Sequence, residues 1–223
     1  MSFGAHEGKF YYVEEDVDYG VTPIDPVMIG MNDNLELLEP SIDPTNKKLR
    51  GHGSRDLSDI KRTLLKVGLK LSYYLPAEDP MHLLNFVDTV YSMTGEVIYE
   101  NPTPTVISLR HLGLRVQEAT VSCSLEDAIK VDLELWGKNA VSSDSKIAAG
   151  SYTDFSGLIP YDLSYIKFGD WDGSNLLVND EVTDWKFTIK NNLKRVGVIR
   201  STDGHLLKFL RERHRDVTGE LIF

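Results

Sequence analysis

Apolar and polar residues alternate with a period of two along much of the chain. The pattern is clearest over residues 65–73, 129–136 and 185–190, and it is typical of strands with one buried and one solvated face. Because no βαβ rhythm accompanies these strands, the pattern predicts a mainly β fold, an antiparallel β-sandwich or barrel. Shorter segments of the same kind occupy residues 95–99, 106–109, 114–125, 196–200 and 217–223.

A short helix is predicted beside the sheets. Asp79 can cap its first turn, Pro80 suits the first helical position, and Gly95 follows as a stop signal. Residues 206–213 are a candidate for a second short helix. The apolar stripe of the first helix consists of Leu83, Leu84, Val87, Val90 and Tyr91.

Two long segments lack sustained alternation. Residues 1–47 are interpreted as an N-terminal arm and Pro-rich loop segment, and residues 48–223 as a β-sandwich domain that contains a long loop at about 142–175. Loops of this length are uncommon in a compact domain unless they carry function or become ordered against a partner. We therefore expect both segments to contact neighbouring copies in an assembly. Plain surface excursions or extra edge hairpins are the alternative.

The chain of 223 residues is acidic, with 34 Asp and Glu against 24 Lys and Arg and a formal net charge of -10. Affinity for duplex DNA requires a clustered excess of Lys and Arg, so the charge disfavours a nucleic-acid reader. The first residues lack the basic start and apolar stretch of a signal peptide. No window approaches the roughly 18 apolar residues of a transmembrane helix. We expect a protein made in the cytosol, with no membrane partner.

Motifs for catalysis, cofactors or metals are missing. The histidines show no metal-ligand spacing, and the chain has neither a nucleophile elbow nor a glycine-rich phosphate loop. Residues 170–173, Asp-Trp-Asp-Gly, resemble part of a calcium loop but lack its later glutamate, so a hairpin turn explains them better. The adjacent acids Glu14 and Glu15 are interpreted as solvated, and Cys123 as a small buried hydrophobe. We expect no enzyme, and no catalytic, cofactor-binding or metal-binding residue.

Basic residues gather at residues 47–50 and 208–215. Because the chain as a whole is acidic, we interpret both clusters as ion-pairing patches between subunits rather than nucleic-acid contacts. An acidic loop on one copy that meets a basic corner on the next would fix their relative orientation during assembly.

Three segments of the chain resemble the tail tube proteins of long-tailed phages and tailed archaeal viruses. The first enters a strand through Leu-Arg-Gly-His-Gly-Ser-Arg-Asp, and the third joins an asparagine-tipped strand to an Arg-rich corner and a Thr-Gly strand. The order of the segments carries the resemblance, which covers most of residues 45–223 apart from the loop at 142–175. The segments are residues 49–74, residues 109–137, and residues 185–193 with 213–220.

The resemblance implies a structural virion protein, a subunit of a hexameric ring that stacks into the tail tube through which viral DNA passes during ejection. The implied partners are further copies of the chain, tape-measure, tail-terminator or baseplate proteins, and a sheath in a contractile tail. Double-stranded DNA would pass through the lumen without specific binding. Six copies at -10 give roughly -60 per ring, and an acidic bore repels phosphate. The implied location is the virion tail, after assembly in the host cytoplasm.

Two other functions remain open. An inner-tube protein of a contractile injection system would use the same ring without moving a genome. A monomeric β-sandwich that binds glycans would instead stack exposed aromatic side chains on sugars, although the same side chains suit a subunit interface equally well. The candidate aromatic residues for glycan binding are Tyr152, Tyr161, Tyr165 and Trp171.

Overall fold

The structure is a computed structural model with two bent layers of β-strands. It describes residues 8–16, 18–50, 57–87, 91–100, 106–125, 127–147, 150–160, 167–168, 177–178, 182–197, 207–211 and 213–223. The predicted mainly β fold is confirmed, since strands dominate and the helical elements in these ranges are 3-10 helices at Asn32–Asn34 and Leu84–Val87. The strands are β1 (Gly8–Glu14), β2 (Val27–Gly30), β3 (Leu35–Arg50), β4 (Leu57–Tyr74), β5 (Met93–Glu100), β6 (Val106–Cys123), β7 (Lys130–Gly137), β8 (Asn139–Ser143), β9 (Ser151–Asp154), β10 (Lys167–Phe168), β11 (Leu177–Val178), β12 (Asp184–Lys190), β13 (Lys194–Gly197), β14 (Leu207–Arg211) and β15 (Asp216–Ile222).

Eleven of these strands form one hydrogen-bonded sheet that divides into two layers at β6. Layer A has the order β9-β2-β1-β5-β6-β8, and layer B has the order β3-β4-β7-β6-β12-β15. All neighbours are antiparallel except β2 and β9, which are parallel. The pairs β10-β11 and β13-β14 stand apart as two-stranded sheets.

The long strand β6 belongs to both layers. Its first half lies between β5 and β8, while its second half lies between β7 and β12. Gly113, at the change of layer, has a φ of +64°. An L side chain rarely adopts this backbone conformation, so glycine is needed at the corner. The alternation predicts two strands here, at 106–109 and 114–125, because the corner interrupts it.

The main core lies between the layers. Layer A contributes Phe10, Tyr12 and Val97, and layer B contributes alternate residues of β4 and β7. Cys123 is buried in the same core, as its place in the alternating pattern predicts. The residues of β4 and β7 that are buried on this side are Val67, Leu69, Leu71, Tyr73, Val131, Leu133 and Leu135.

The two helix predictions are wrong in the described residues. The segment from Pro80 to Val87 is a turn followed by one short 3-10 helix. Leu83, Phe86 and Val87 are buried in the core, so a single tight turn satisfies the apolar spacing that suggested a longer helix. The second candidate helix contains strand β14 instead, where Leu207 and Leu210 are buried.

The predicted irregular segments also contain strands. Within residues 1–47 lie β1, β2 and most of β3, all of them in the large sheet. Proline lacks an N–H donor and is confined to sheet edges, so Pro40 and Pro44 agree with the place of β3 at the edge of layer B. Within residues 142–175, β9 adds a parallel strand to layer A. The described part of this loop thus contains an edge strand, although β9 is parallel to β2 and does not form the edge hairpin given as the alternative.

Candidate assembly surfaces

Layer B ends in an exposed edge strand, β15. Among the described strands it pairs with β12 alone, so its second edge keeps unpaired backbone donors and acceptors. Its residues are exposed except Leu221, which is half-buried. An open strand edge of this length is a template for pairing with another chain, and natural proteins normally cover or block it.

An apolar strip runs along this edge. The register places Phe187 opposite Gly219 and Ile189 opposite Val217, on the side of the sheet that faces the core further along layer B. Phe187 is 40% exposed and Val217 is 64% exposed. A side chain at position 219 would contact the Phe187 ring at 2.9 Å, so the glycine lets this ring lie flat on the edge strand. We call Phe187, Val217 and Gly219 the apolar edge strip.

The opposite side of layer B is a polar face, formed by matching rows of side chains across six strands. One row runs from Glu39 through Lys70, Glu134, Glu118 and Lys190 to Asp216. A parallel row contains Asp132, Thr120, Thr188 and Thr218, and a third contains Lys130, Ser122, Lys186 and Glu220. Acids outnumber bases in these rows.

Ion pairs organise the polar face. Lys190 Nζ lies 3.2 Å from Glu118 Oε2, and Lys130 pairs with Glu36 at the edge of layer B. The hydrogen bond from Lys130 lowers the pKa of the Glu36 carboxyl and raises the pKa of the Lys130 ammonium. Because these groups are largely exposed, they contribute little to stability and set the charge pattern of the face.

A two-stranded hairpin projects from layer B. Pairing between β4 and β7 stops at the pair Val67 and Gly137, whereas pairing between β3 and β4 continues to the pair Arg50 and Leu57. At about 3.3 Å per residue, this extension is roughly 30 Å long. Its outer part, residues 45–50 and 57–64, is called the basic hairpin. It carries Lys47, Lys48, Arg50, Lys61 and Arg62 and a single acid, Asp59.

A cavity of about 400 Å³ opens at the opposite end of layer B. Its walls combine apolar groups, such as Trp185 and Ile222, with the carboxylates of Asp127, Asp184 and Glu220. Lys130 and Lys186 also line the cavity, and Lys130 is already paired with Glu36. We call this space the far-end cavity.

A second cavity, of about 760 Å³, lies beside layer A. His82 is on its wall, and the His82 Nδ1 atom is 2.7 Å from the hydroxyl of Tyr12. The His82 ring also contacts Phe86 and Phe155. These contacts give His82 a packing role within the aromatic cluster.

The outer side of layer A is covered by the chain itself. Glu96 is fully buried there, and its carboxylate accepts hydrogen bonds from Tyr152 Oη at 2.6 Å and from the Ile147 backbone N–H at 3.0 Å. Ser108 Oγ and Arg110 Nε donate to the same carboxylate. These hydrogen bonds hold the segment around Ile147 and Tyr152 against β5. Burial, with the Glu96 carboxylate beside it, raises the pKa of the Tyr152 hydroxyl.

A second buried carboxylate, Glu15, fixes the corner of β6. It accepts hydrogen bonds from the backbone N–H groups of Gly113 at 2.8 Å and Gly20 at 2.7 Å. The hydroxyls of Ser92 and Thr94 donate to it at 2.7 and 2.9 Å. The expectation that Glu15 is solvated is therefore wrong, because its four donors replace water.

The asparagine tip of β12 is also a structural junction. The buried side chain of Asn191 donates from Nδ2 to the backbone carbonyls of Val87 and Val116, at 2.8 and 2.9 Å. Its Oδ1 accepts a hydrogen bond from Arg215 Nε at 3.0 Å. Asn192, with a φ of +48°, donates to Asp216 Oδ2 at 2.7 Å. These contacts hold the Arg-rich corner that leads into β15.

The residues proposed from the sequence lie in different surroundings. Tyr152 is occupied by internal contacts with Glu96 and Tyr11, which leaves its ring little available for stacking on a sugar. Tyr161, Tyr165 and the acidic segment 170–173 lie outside the described residues, as does Trp171. Of the basic cluster at 208–215, Arg213 and His214 line a groove of about 760 Å³ in which Arg195 lies 3.7 Å from the centre of the Trp136 ring.

The described ranges contain neither a metal-binding cluster nor a membrane-spanning helix. No group of three His, Cys, Asp or Glu side chains there is placed to hold a metal ion. None of the described helices has the length and apolar character needed to cross a bilayer. The open edge and the hairpin were missed at the sequence level, because only the register shows which strands lack neighbours.

No protein-family model matches this chain, and no curated protein matches it. Among solved structures, the chain is similar to a chain from the cryo-EM structure of the anti-feeding prophage (AFP) baseplate, 6-fold symmetrised. The match has 12% sequence identity and a TM-score of 0.43, and it covers 66% of this chain and 100% of that chain. The likeness is distant in sequence and in fold.

Proposed function

We propose that the chain is a structural subunit of a ring, and that rings stack into the tail tube of a long-tailed virus. The open β15 edge with its apolar strip is the observation that carries this proposal. A soluble chain that leaves an edge strand unpaired and bordered by exposed apolar side chains is suited to association with another chain. The role needs neither a catalytic residue nor a cofactor.

The strand order of layer B is compatible with closing a ring. Its six strands alternate in direction, so the two edge strands β3 and β15 are antiparallel to each other. Copies related by a rotation axis keep the same orientation along that axis. When β15 of one copy meets β3 of the next, the contact is antiparallel and the sheet continues. Repeating this contact with a rotation closes a ring.

The two edges would contribute differently to that contact. Pro40 and Pro44 remove two backbone donors from β3, whereas β15 has no proline and keeps every donor. Main-chain pairing would therefore be incomplete at β3. Burial of Phe187 and Val217 against the next copy supplies the remaining stabilisation, because both side chains are exposed in a single copy.

A ring of this kind would place the polar face of layer B towards its bore. Because the other side of layer B packs against the core, the charged row that contains Glu39, Lys70 and Glu134 would face the DNA. The excess of acids in these rows would repel the phosphates and let DNA pass without specific binding. The virion tail is the location that this role requires. Further copies of the chain, tape-measure protein and terminator or baseplate proteins are its proposed partners.

Electron microscopy of purified protein tests the proposal, with a substitution at the edge as the specific probe. Val217→Lys places a charge in the apolar edge strip, and we expect it to abolish rings and tubes. Val217 is 64% exposed, so the free energy of unfolding of the monomer should change by no more than about 0.5 kcal/mol. Met81→Lys, at a position 54% exposed and outside layer B, is the matched control and should assemble like the wild type.

Four outcomes separate the candidate functions. Hollow rings in the wild type and their loss in Val217→Lys support the proposal. Rings that persist in Val217→Lys would exclude the β15 edge as the interface. A wild type that stays monomeric across concentration and salt, and binds saccharides, would favour the glycan-binding module. Binding of a sheath protein to the tube, in a particle that has no DNA-filled head, would identify the inner tube of a contractile injection system.

A further inference from the structure

The groove of about 760 Å³ at the Trp136 end of layer B is a positive region of an acidic protein. Residues 190–215, which supply much of its wall, contain eight of the 24 Lys and Arg residues of the chain and two of its 34 Asp and Glu residues. We call this space the Trp136 groove. The basic side chains on its wall are Lys194, Arg195, Arg213 and His214.

The guanidinium of Arg195 is the most enclosed cation of the Trp136 groove. It lies 3.7 Å from the centre of the Trp136 ring, whose Nε1 donates to Glu134 Oε1 at 2.9 Å. Arg195 Nε is buried, and among the described residues it has no hydrogen-bond partner. Burial lowers the pKa of Arg195, although attraction by Glu134 opposes this shift. An anion in the groove would therefore stabilise the charged form of Arg195.

The neighbouring cations are not neutralised by the protein. Within the described ranges, no ion pair joins Lys194 or Arg213 to an acid. Asp216, the acid on the wall of the groove, accepts a hydrogen bond from Asn192 Nδ2 at 2.7 Å. The register of β13 and β14 also places Lys194 opposite Arg211, and like charges in this position repel each other. A bound anion would relieve this repulsion.

The wall of the groove is fixed by hydrogen bonds to two other parts of the chain. In the turn between β12 and β13, Asn192 Nδ2 donates to the backbone carbonyl of His214 at 2.9 Å. The backbone N–H of Leu193 donates to Gln117 Oε1, on β6, at 2.7 Å. The basic side chains therefore project from a backbone that is already ordered, which lowers the entropic cost of binding a ligand.

We propose that the Trp136 groove binds a phosphate group. Three cations line it, and N–H groups of each can donate to a different phosphate oxygen, whereas a carboxylate has only two oxygens to share among them. Inorganic polyphosphates and the backbone of a nucleic-acid strand both present this group. The groove belongs to a single copy, so the inference goes beyond the proposed ring and does not depend on it.

In the proposed ring the Trp136 groove would lie on the polar face, which is turned towards the bore. Contact with nucleic acid there would be independent of base sequence, because phosphates carry no sequence information. The acidic rows beside the groove would confine the contact to this end of layer B. This role differs from the expected pairing of the basic cluster at 208–215 with acids of another subunit.

Isothermal titration calorimetry of the full chain at low salt tests the proposal, with pyrophosphate and a short single-stranded oligonucleotide as separate probes. Lys194→Gln combined with Arg213→Gln removes two exposed cations of the groove and should weaken binding of the preferred probe at least about tenfold. The matched control is Lys66→Gln combined with Lys186→Gln. It removes the same charge from exposed positions outside the groove and should bind like the wild type.

The outcomes identify the source of the phosphate. Tight binding of pyrophosphate supports a site for a free phosphate compound, and tighter binding of the oligonucleotide supports a contact with nucleic-acid backbone. Higher salt should weaken either one, because screening reduces the attraction. Absence of binding by both probes, or an equal loss in the control variant, would overturn the proposal. Tighter binding of a glutamate-rich peptide than of either probe would overturn it in favour of a carboxylate partner.

Electron microscopy of the same samples separates this inference from the proposed function. A chain that binds phosphate in the groove but forms no rings would support the inference and contradict the ring. Rings whose subunits bind neither phosphate probe would support the ring and contradict the inference.

Discussion

The two layers of the sandwich differ in what covers them. Layer A is covered on both sides, by the core on one side and by the segment around Ile147 and Tyr152 on the other. In the part of the chain that the structure describes, layer B packs on the main core with one side, and on its polar face only the end around Trp136 is covered, by Leu193, Leu207 and Leu210. The β15 edge is exposed. The chain therefore uses its own residues to complete layer A. In layer B the described residues leave an open strand edge, which the proposed ring would pair.

The buried polar groups follow the same division. Glu96, Glu15 and His111 are all enclosed in or beside layer A, where protein donors or packing replace water. The charged side chains of the layer B rows keep access to solvent. Substitutions in layer A should accordingly change folding, whereas substitutions in layer B should change assembly.

The largest effect on folding is expected from Glu96→Ala. The substitution leaves four donors without this acceptor, the buried Ser108 hydroxyl and the part-buried groups of Arg110, Ile147 and Tyr152, and should lower the free energy of unfolding by about 3–5 kcal/mol. Glu100→Ala, on the same strand, is the control. Glu100 is exposed and pairs with Lys9 and Lys146, so its loss should cost no more than about 1 kcal/mol. Chemical denaturation measures both, and equal losses would contradict the role of Glu96 as a buried acceptor that completes layer A.

A smaller effect is expected from acidification through His111. Burial lowers the pKa of this imidazole from 6.5 to about 4 in the folded protein. Between these values the unfolded chain binds more protons, so stability falls as the pH falls. The loss attributable to His111 should reach about 3 kcal/mol between pH 7 and pH 4. Denaturation of wild type and His111→Leu at both pH values measures it. The variant should show a correspondingly smaller pH dependence, and an identical dependence would show that His111 is not responsible.

The smallest effect is expected on the polar face. Lys190→Ala removes the ion pair with Glu118, and because both groups have access to solvent, the free energy of unfolding should change by less than about 0.5 kcal/mol. Thermal unfolding at low and high salt provides the measurement. A loss above about 1.5 kcal/mol would mean that this face is packed rather than solvated.

Much of the strand content was predictable from local pattern. The alternation at 65–73, 129–136 and 185–190 reappears in β4, β7 and β12. Alternation succeeded there because one side of layer B faces the core and the other faces water. It was weak in β1 and β5, where Tyr11 and Glu96 are buried although they face away from the main core. A strand that is buried on both sides lacks the alternation of polar and apolar residues by which a half-exposed strand is recognised.

The candidate surfaces were harder to predict, because they depend on long-range pairing. The basic cluster at 47–50 was recognised, but only the pairing of β3 with β4 shows that it lies on a projecting hairpin. Glu15 was misjudged since its four donors come from residues 20, 92, 94 and 113. The β15 edge was not predictable from the sequence. It is recognised from the sheet order, in which β12 is the one described neighbour of β15.

The course of β6 through both layers has a mechanical consequence. Because one unbroken strand turns at Gly113 from layer A into layer B, a pull on either layer is transmitted to the other along covalent bonds. Four neighbouring strands pair with β6 in antiparallel ladders. Displacement of β6 along its own axis would therefore require many backbone hydrogen bonds to break together. In a tube built from such subunits, tension along the wall would be carried by the backbone. Side-chain packing between the layers would carry little of that load.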